Sequence, residues 1–264
     1  MKAADPRTGE VAFAFEPASP EDVAVEAARL RAVQPAWEAA GADVRAATLA
    51  ALAARIERDS EAVFQALAVD TGRRAVARIE IDGLVRNLRK WSARGPELFA
   101  ALPRDPMPSA TPDIAIVPSF SAYPLFGAIA PWNFPIVLSH IDAVPALMAG
   151  CAALIKPSEV TPRFVAPMRA ILAEFPELPL AYVQGGAKTG EALVAAVDYV
   201  CFTGSTATGR KVAEAAARAL IPANLELGGK DPMIVTASAD PAWAARIALR
   251  ASAVATGQAG QSIE

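Results

Sequence analysis

Through the first hundred residues apolar positions recur every three or four residues; after residue 113 they gather into short runs. The stretch 21–40, EDVAVEAARLRAVQPAWEAA, has the spacing of an amphipathic helix. Ser19-Pro20-Glu21-Asp22 supplies its start: a hydroxyl cap, a proline at the first helical position and a carboxylate three residues past the cap. Pro35 is expected to kink or interrupt this helix, because proline removes a hydrogen bond and crowds the preceding turn. A second helix is expected over 44–70, capped by Asp43 and ended by Thr71-Gly72. A third, over about 75–99, would place Ile79, Leu84, Leu88 and Trp91 on one face. The proline-rich stretch 103–113 reads as a loop leading into strands.

The later runs are LFGAIAP (125–131), AALIKP (152–157), LAYVQGG (180–186), YVCFTG (199–204) and ANLELGG (223–229). Amphipathic segments at 135–149, 161–175, 188–196 and 208–219 lie between them. Strands alternating with helices predict an α/β fold, a parallel sheet with helices on both faces. Ligands of such sheets bind at the carboxyl ends of strands.

Composition narrows the classes. The chain has 264 residues, 53% hydrophobic and 20% charged, a globular rather than a disordered balance. A net charge of −3 gives no electrostatic footprint for nucleic acid. The longest apolar stretch, 117–135, is broken by Pro118, Pro124, Pro131 and Asn133, which argues against a membrane span. The first ten residues lack the apolar core of a secretory signal. Cys151 and Cys201 sit in apolar runs and read as buried free thiols of a cytoplasmic protein. With one histidine, His140, and no Cys-x-x-Cys, no metal is expected.

Four polar or glycine clusters follow strands. In APWNFP (130–135), Asn133 has a donor that could stabilise an oxyanion, but a proline-flanked turn explains the pattern as well, and pattern alone favours the turn. In KPSE (156–159), Lys156 and Glu159 could hold ribose hydroxyls, but pattern alone favours Ser158 and Glu159 as the first turn of a helix. In FTGSTATG (202–209), Gly204 and Gly209 open a helix whose N–H groups could meet a pyrophosphate, a weak signal alone. In ELGGKDP (226–232), Glu226 is either a semi-buried general base with a raised pKa or a surface residue near a tight turn.

Taken in order, PWNFP, KPSE, FTGSTATG, ELGGK and TGQAGQSIE resemble the aldehyde dehydrogenase superfamily over essentially the whole chain. The resemblance implies a five-stranded Rossmann-like domain that binds NAD, or NADP, and oxidation of a small-molecule aldehyde to an acid through a covalent thioester. It implies an oxyanion donor at Asn133 and a general base at Glu226. It implies cofactor contacts at Ala130, Trp132, Lys156, Glu159, Gly185, Gly204, Ser205 and Leu227. Glu159 leans the choice toward NAD, because a carboxylate repels a 2′-phosphate. Gly185-Gly186-Ala187 departs from the family's Gly-x-Gly. The larger departure is at the nucleophile: the family reads Gly-Gln-x-Cys, and this chain reads Gly257-Gln258-Ala259-Gly260.

By this resemblance residues 1–230 form the cofactor domain, with N-terminal helices (1–102) and a proline-rich strand and loop region (103–124). Residues 231–264 would begin a truncated catalytic domain, with DPMIV (231–235) as a strand and 240–252 as a helix. The chain is then expected to be catalytically dead and to associate as a homo-oligomer or through exposed edges, without nucleic acid or membrane. The alternative is an NAD-binding pseudoenzyme, or a half-subunit that pairs with another chain.

Overall fold

The computed structural model describes residues 1–260 and Ser262, apart from the side chain of Ala12. A short antiparallel pair, β1 (Lys2–Ala4) and β2 (Val11–Ala14), leads into four helices: α1 (Pro20–Ala39), α2 (Gly41–Arg58), α3 (Glu61–Thr71) and α4 (Arg74–Ala100). β3 (Met107–Pro108) and β4 (Ala115–Ile116) form a second small antiparallel pair inside the expected loop region. The alternating part follows as β5 (Leu125–Ile129), α5 (Pro135–His140), α6 (Ala143–Ala149), β6 (Ala152–Lys156), α7 (Val165–Leu172), β7 (Leu180–Tyr182), α8 (Ala187–Ala196), β8 (Tyr199–Gly204), α9 (Thr206–Ala219) and β9 (Ala223–Leu227). All five long apolar runs are strands of one parallel sheet, ordered β7-β6-β5-β8-β9. α10 (Pro241–Ala253) comes last.

Both faces of this sheet are covered, which is why its central strands are apolar without alternation. On β6, Ala153 and Ile155 join a core with Leu49, Leu67, Leu84 and Leu88 of α2, α3 and α4. Ala152 and Leu154 join a second core with Val23 and Leu30 of α1 and Leu193 of α8. No helix is long and apolar enough to cross a membrane among the described residues.

Several local expectations are corrected. α1 runs unbroken through Pro35. Gln34 Nε2 donates to the Gly150 carbonyl at 3.0 Å and Trp37 Nε1 to that of Leu147 at 2.8 Å, so tertiary bonds hold the helix on both sides of the proline. Asp43 lies inside the first turn of α2 rather than capping it, because Gly41 turns the chain with φ +85°. The helix expected over 44–70 is two helices, parted where Asp59 becomes extended. Gly72 ends α3 in the left-handed conformation, as expected. On α4, Leu84 and Leu88 are buried but Ile79 is exposed and Trp91 half-buried. The buried face runs through Ala77, Ile81 and Val85, and two residues turn a helix by about 200°, so Ile79 faces away from Ala77. The segment 135–149 is broken into α5 and α6, and 161–175 is helical only over Val165–Leu172. DPMIV forms no strand; Ile234 is 85% exposed, since no strand among the described residues lies beside it to supply a ladder.

Candidate functional site

Because all five strands are parallel, their carboxyl ends share one rim of the sheet. Register places Ile129 beside both Lys156 and Phe202, Thr203 beside Glu226, and Gly204 beside Leu227. Strands are added outward to β6 and β7 on one side of β5 and to β8 and β9 on the other. The β5/β8 junction is therefore the point at which strand order reverses, where open α/β sheets bind ligands.

On the β6 side, the Lys156 side chain is buried and passes Gly190 of α8, where an added Cβ would lie 3.6 Å from Lys156 Cδ. Lys156 Nζ donates to the Pro157 carbonyl at 3.0 Å and to Glu159 Oε2 at 3.3 Å. Burial lowers the Lys156 pKa, and the Glu159 charge opposes that shift. Residues 157–164 are not helical, so Ser158 and Glu159 are not the first turn of a helix. Gly185 follows β7 and packs on Thr189, leaving no room for a Cβ, which would lie 2.0 Å from Thr189 Oγ1.

On the β8 side, Ser205 caps α9 and its hydroxyl accepts from the Thr208 N–H at 3.3 Å. Gly204 is closed to a Cβ by Phe202, 2.6 Å away. Leu227 covers Gly209 of α9, where a Cβ would meet Leu227 Cδ2 at 2.5 Å. Glycines at 185, 204 and 209 thus let backbone and side chains close up along the rim.

At the end of β5, the Ala130 N–H donates to the Lys156 carbonyl at 3.0 Å, and Trp132 stands 44% exposed. Asn133 Nδ2 donates to the Gln258 carbonyl at 2.6 Å, which joins the β5 rim to the segment carrying Gly260. Gly260 is exposed, and a Cβ there would meet nothing within 4 Å among the described residues.

Two residues that the sequence reading passed over support this junction. Arg73, at the start of α4, donates from Nη2 to the Asn133 carbonyl and from Nη1 to the Ala255 carbonyl at 3.3 Å. Glu80, fully buried on α4, accepts from the Ile136 N–H at 3.0 Å at the start of α5. Burial pushes the Glu80 carboxyl up to about 7, against those backbone donors and the Arg73 charge. Neither residue lies in a strand-end cluster, and a lone Arg or Glu at helical spacing reads as surface. Fold contacts 60 and 56 residues apart gave them their places.

Of the two placements left open for Glu226, the structure has the exposed one. It is exposed on β9, because β9 is an edge strand and nothing among the described residues covers its outer side. Its charge still reaches inward: Asp142 is raised mainly by burial, with Glu226 adding to the shift. Cys151 and Cys201 are both buried, with thiols pushed up to about 11 and about 12 chiefly by burial, which suits inert core residues.

A five-stranded parallel sheet covered on both faces, with glycines and helix starts along its carboxyl rim, defines a Rossmann-like α/β protein. The chain belongs to the aldehyde dehydrogenase family, whose pattern matches residues 1–264. It is 36% identical over 248 residues to a protein of Mycolicibacterium smegmatis named "Putative succinate-semialdehyde dehydrogenase", of the NADP(+) type, covering 92% of this chain and 48% of that one. The solved structure of the "Putative Aldehyde Dehydrogenase PutA" from Anabaena variabilis superposes with a TM-score of 0.94 at 45% identity, over 100% of this chain and 56% of that one. An NAD-dependent benzaldehyde dehydrogenase from Corynebacterium glutamicum superposes with a TM-score of 0.89 at 30% identity, over 100% and 58%. The chain spans about half the length of these relatives.

Proposed function

We propose that this chain is the cofactor-binding part of an aldehyde dehydrogenase that oxidises an aldehyde to an acid with NAD or NADP, in a form without the reacting thiol. The observation that carries the reading is the bond between Asn133 Nδ2 and the Gln258 carbonyl, which joins a candidate oxyanion donor to the segment holding position 260. Residues 1–230 would be the cofactor domain, including the helices of 1–102 and the 103–124 region. Residues 231–264 would open the catalytic domain.

The residues present fit the cofactor. Lys156 Nζ donates and Glu159 accepts at one rim position, the pairing a ribose diol needs. The capped start of the 14-residue α9, with Gly204 and Ser205 before it, offers N–H groups for a pyrophosphate. Gly185 would belong to the adenine side and Leu227 to the nicotinamide side, with Ala130 and Trp132 lining the cofactor cleft. Bound there, the cofactor supplies a hydride acceptor. Glu159 favours NAD, although the M. smegmatis relative carries an NADP name.

In this scheme Asn133 steadies the substrate oxygen as charge builds on it, and Glu226 takes a proton from attacking water. The covalent step needs a thiolate at 260. Glycine supplies none, so the chain as it stands would bind cofactor without turnover. Cys151 and Cys201 do not replace it, being buried in the core. Two free buried thiols suit a cytoplasmic setting. The named relatives act on different aldehydes, so the substrate is proposed only as that class.

Exposed Ile234, Trp243 and Leu249 favour a second, compatible reading, in which the chain associates with a copy of itself or with a complementary chain. Titration calorimetry with NAD and with NADP tests the main reading. A folded protein that gives heat with neither would overturn it.

A further inference from the structure

The segment before position 260 is bent against its own preference. Ala255, Thr256 and Gly257 hold φ of 51°, 60° and 72°, three successive left-handed residues. The first two are not glycine, and Thr256 is β-branched, the type least suited to this region. Such a turn persists only where its surroundings fix it.

The fixing contacts converge on one atom. The Ala255 carbonyl accepts from Arg73 Nη1 at 3.3 Å, from Thr256 Oγ1 at 2.6 Å and from the Gln258 N–H at 3.3 Å. Among these donors only Arg73 comes from another part of the fold. Its second terminal nitrogen holds the Asn133 carbonyl, and its guanidinium stacks 5.2 Å from the centre of the Phe134 ring. Arg73 is 9% exposed, and it stands at the start of α4, whose buried face anchors it to the helical core.

We propose that Arg73 is a positioning residue, whose guanidinium fork bridges the Asn133 and Ala255 carbonyls and thereby fixes position 260 relative to the Asn133 amide. That role rests on the reading of Asn133 and position 260 as the reacting centre; the clamp itself is a statement about geometry. A planar fork suits it, because two carbonyls on separate segments need two donors at fixed spacing. Lysine keeps the charge but presents a single point. Glutamine keeps one short donor group and loses both the charge and the reach.

Hydrogen exchange read by mass spectrometry tests the clamp on the full 264-residue chain without cofactor. Segment 254–260 is compared with segment 77–88 of α4. In Arg73→Gln, exchange in 254–260 should accelerate about tenfold or more, the scale of one lost charge-assisted bond, with 77–88 unchanged. Arg73→Lys should fall between the two, a partial rescue by the conservative variant. Three results would overturn the proposal. In one, 254–260 exchanges at the free-peptide rate in the unsubstituted chain. In another, neither variant alters it. In the third, 77–88 accelerates in parallel, which would make Arg73 a support of the core rather than of the turn. Cofactor calorimetry reads the underlying function separately, so failure of one measurement leaves the other standing.

Discussion

Asn133 and Gln258 lie 125 residues apart in sequence, and the amide of one donates to the carbonyl of the other at 2.6 Å. The bond uses the donor end of the amide, while Asn133 Oδ1 is buried without a partner among the described residues. Asn133→Ala removes a good bond and an unsatisfied oxygen together, so stability should change by less than about 1 kcal/mol. Asn133→Asp keeps the shape but turns a donor into a charge facing a carbonyl, and should cost about 2–3 kcal/mol. Urea unfolding of both variants checks the contrast; equal losses would show that the donor is not what matters.

Cofactor binding should be weak and carried by the adenosine half. Lys156 and Glu159 already face one another at the rim, whereas Trp132 and Leu227 are partly exposed. Lys156→Ala should abolish the calorimetric signal for NAD, and AMP should compete with NAD nearly as well as NAD itself. An AMP fragment without affinity would shift the weight to the nicotinamide side.

Restoring a thiol should not restore turnover in these 264 residues. A Cβ at Gly260 would meet nothing within 4 Å among the described residues, and Glu226 is exposed. A reactive thiol needs a lowered pKa, and attack needs the aldehyde held about 3–3.5 Å away. Gly260→Cys should therefore alkylate like a thiol in solution and form no NADH from a simple aldehyde. Clear NADH formation would refute this.

Two buried groups should hide each other in the dependence of stability on pH. The Glu80 carboxyl rises from 4.5 to about 7 on folding, mainly by burial, so below 7 the folded chain holds a proton that the unfolded chain loses at 4.5. Its contribution is fullest below 4.5 and falls as pH rises to about 7. His140, bonded to Tyr182 at 2.6 Å, is lowered by burial from 6.5 to about 4, so the unfolded chain holds the extra proton. Its contribution is present above 6.5 and is lost as pH falls through about 4. Between 4.5 and 6.5 the two slopes oppose. Glu80→Gln should expose a stability that rises with pH there, by up to about 1.4 kcal/mol per pH unit. A flat profile in that variant would show that His140 does not titrate on unfolding.

Self-association should follow from the uncovered apolar side chains at 234, 243 and 249. Ile234 and Leu249 are 85% and 72% exposed, and no strand among the described residues pairs with the outer side of β9. Light scattering should show mass growing with concentration, and Ile234→Lys with Leu249→Glu should suppress it. A monodisperse monomer across the series would refute this.

The sequence by itself determined the sheet. Each of its five apolar runs is a strand, because a strand buried on both faces needs near-continuous apolar residues and turn residues at its ends. The ordered motifs also identified the family, and the structure places Lys156 and Gly204 at strand ends and Asn133 just after β5. Local pattern misled where a distant contact outweighed it. Gln34 and Trp37 carry α1 through Pro35, where proline alone argued for a break. Tertiary structure alone decided that Arg73 holds the Asn133 carbonyl and Glu80 the start of α5. Their bonds join segments 56 or more residues apart, and a single charged side chain carries no local mark of the partner it will meet.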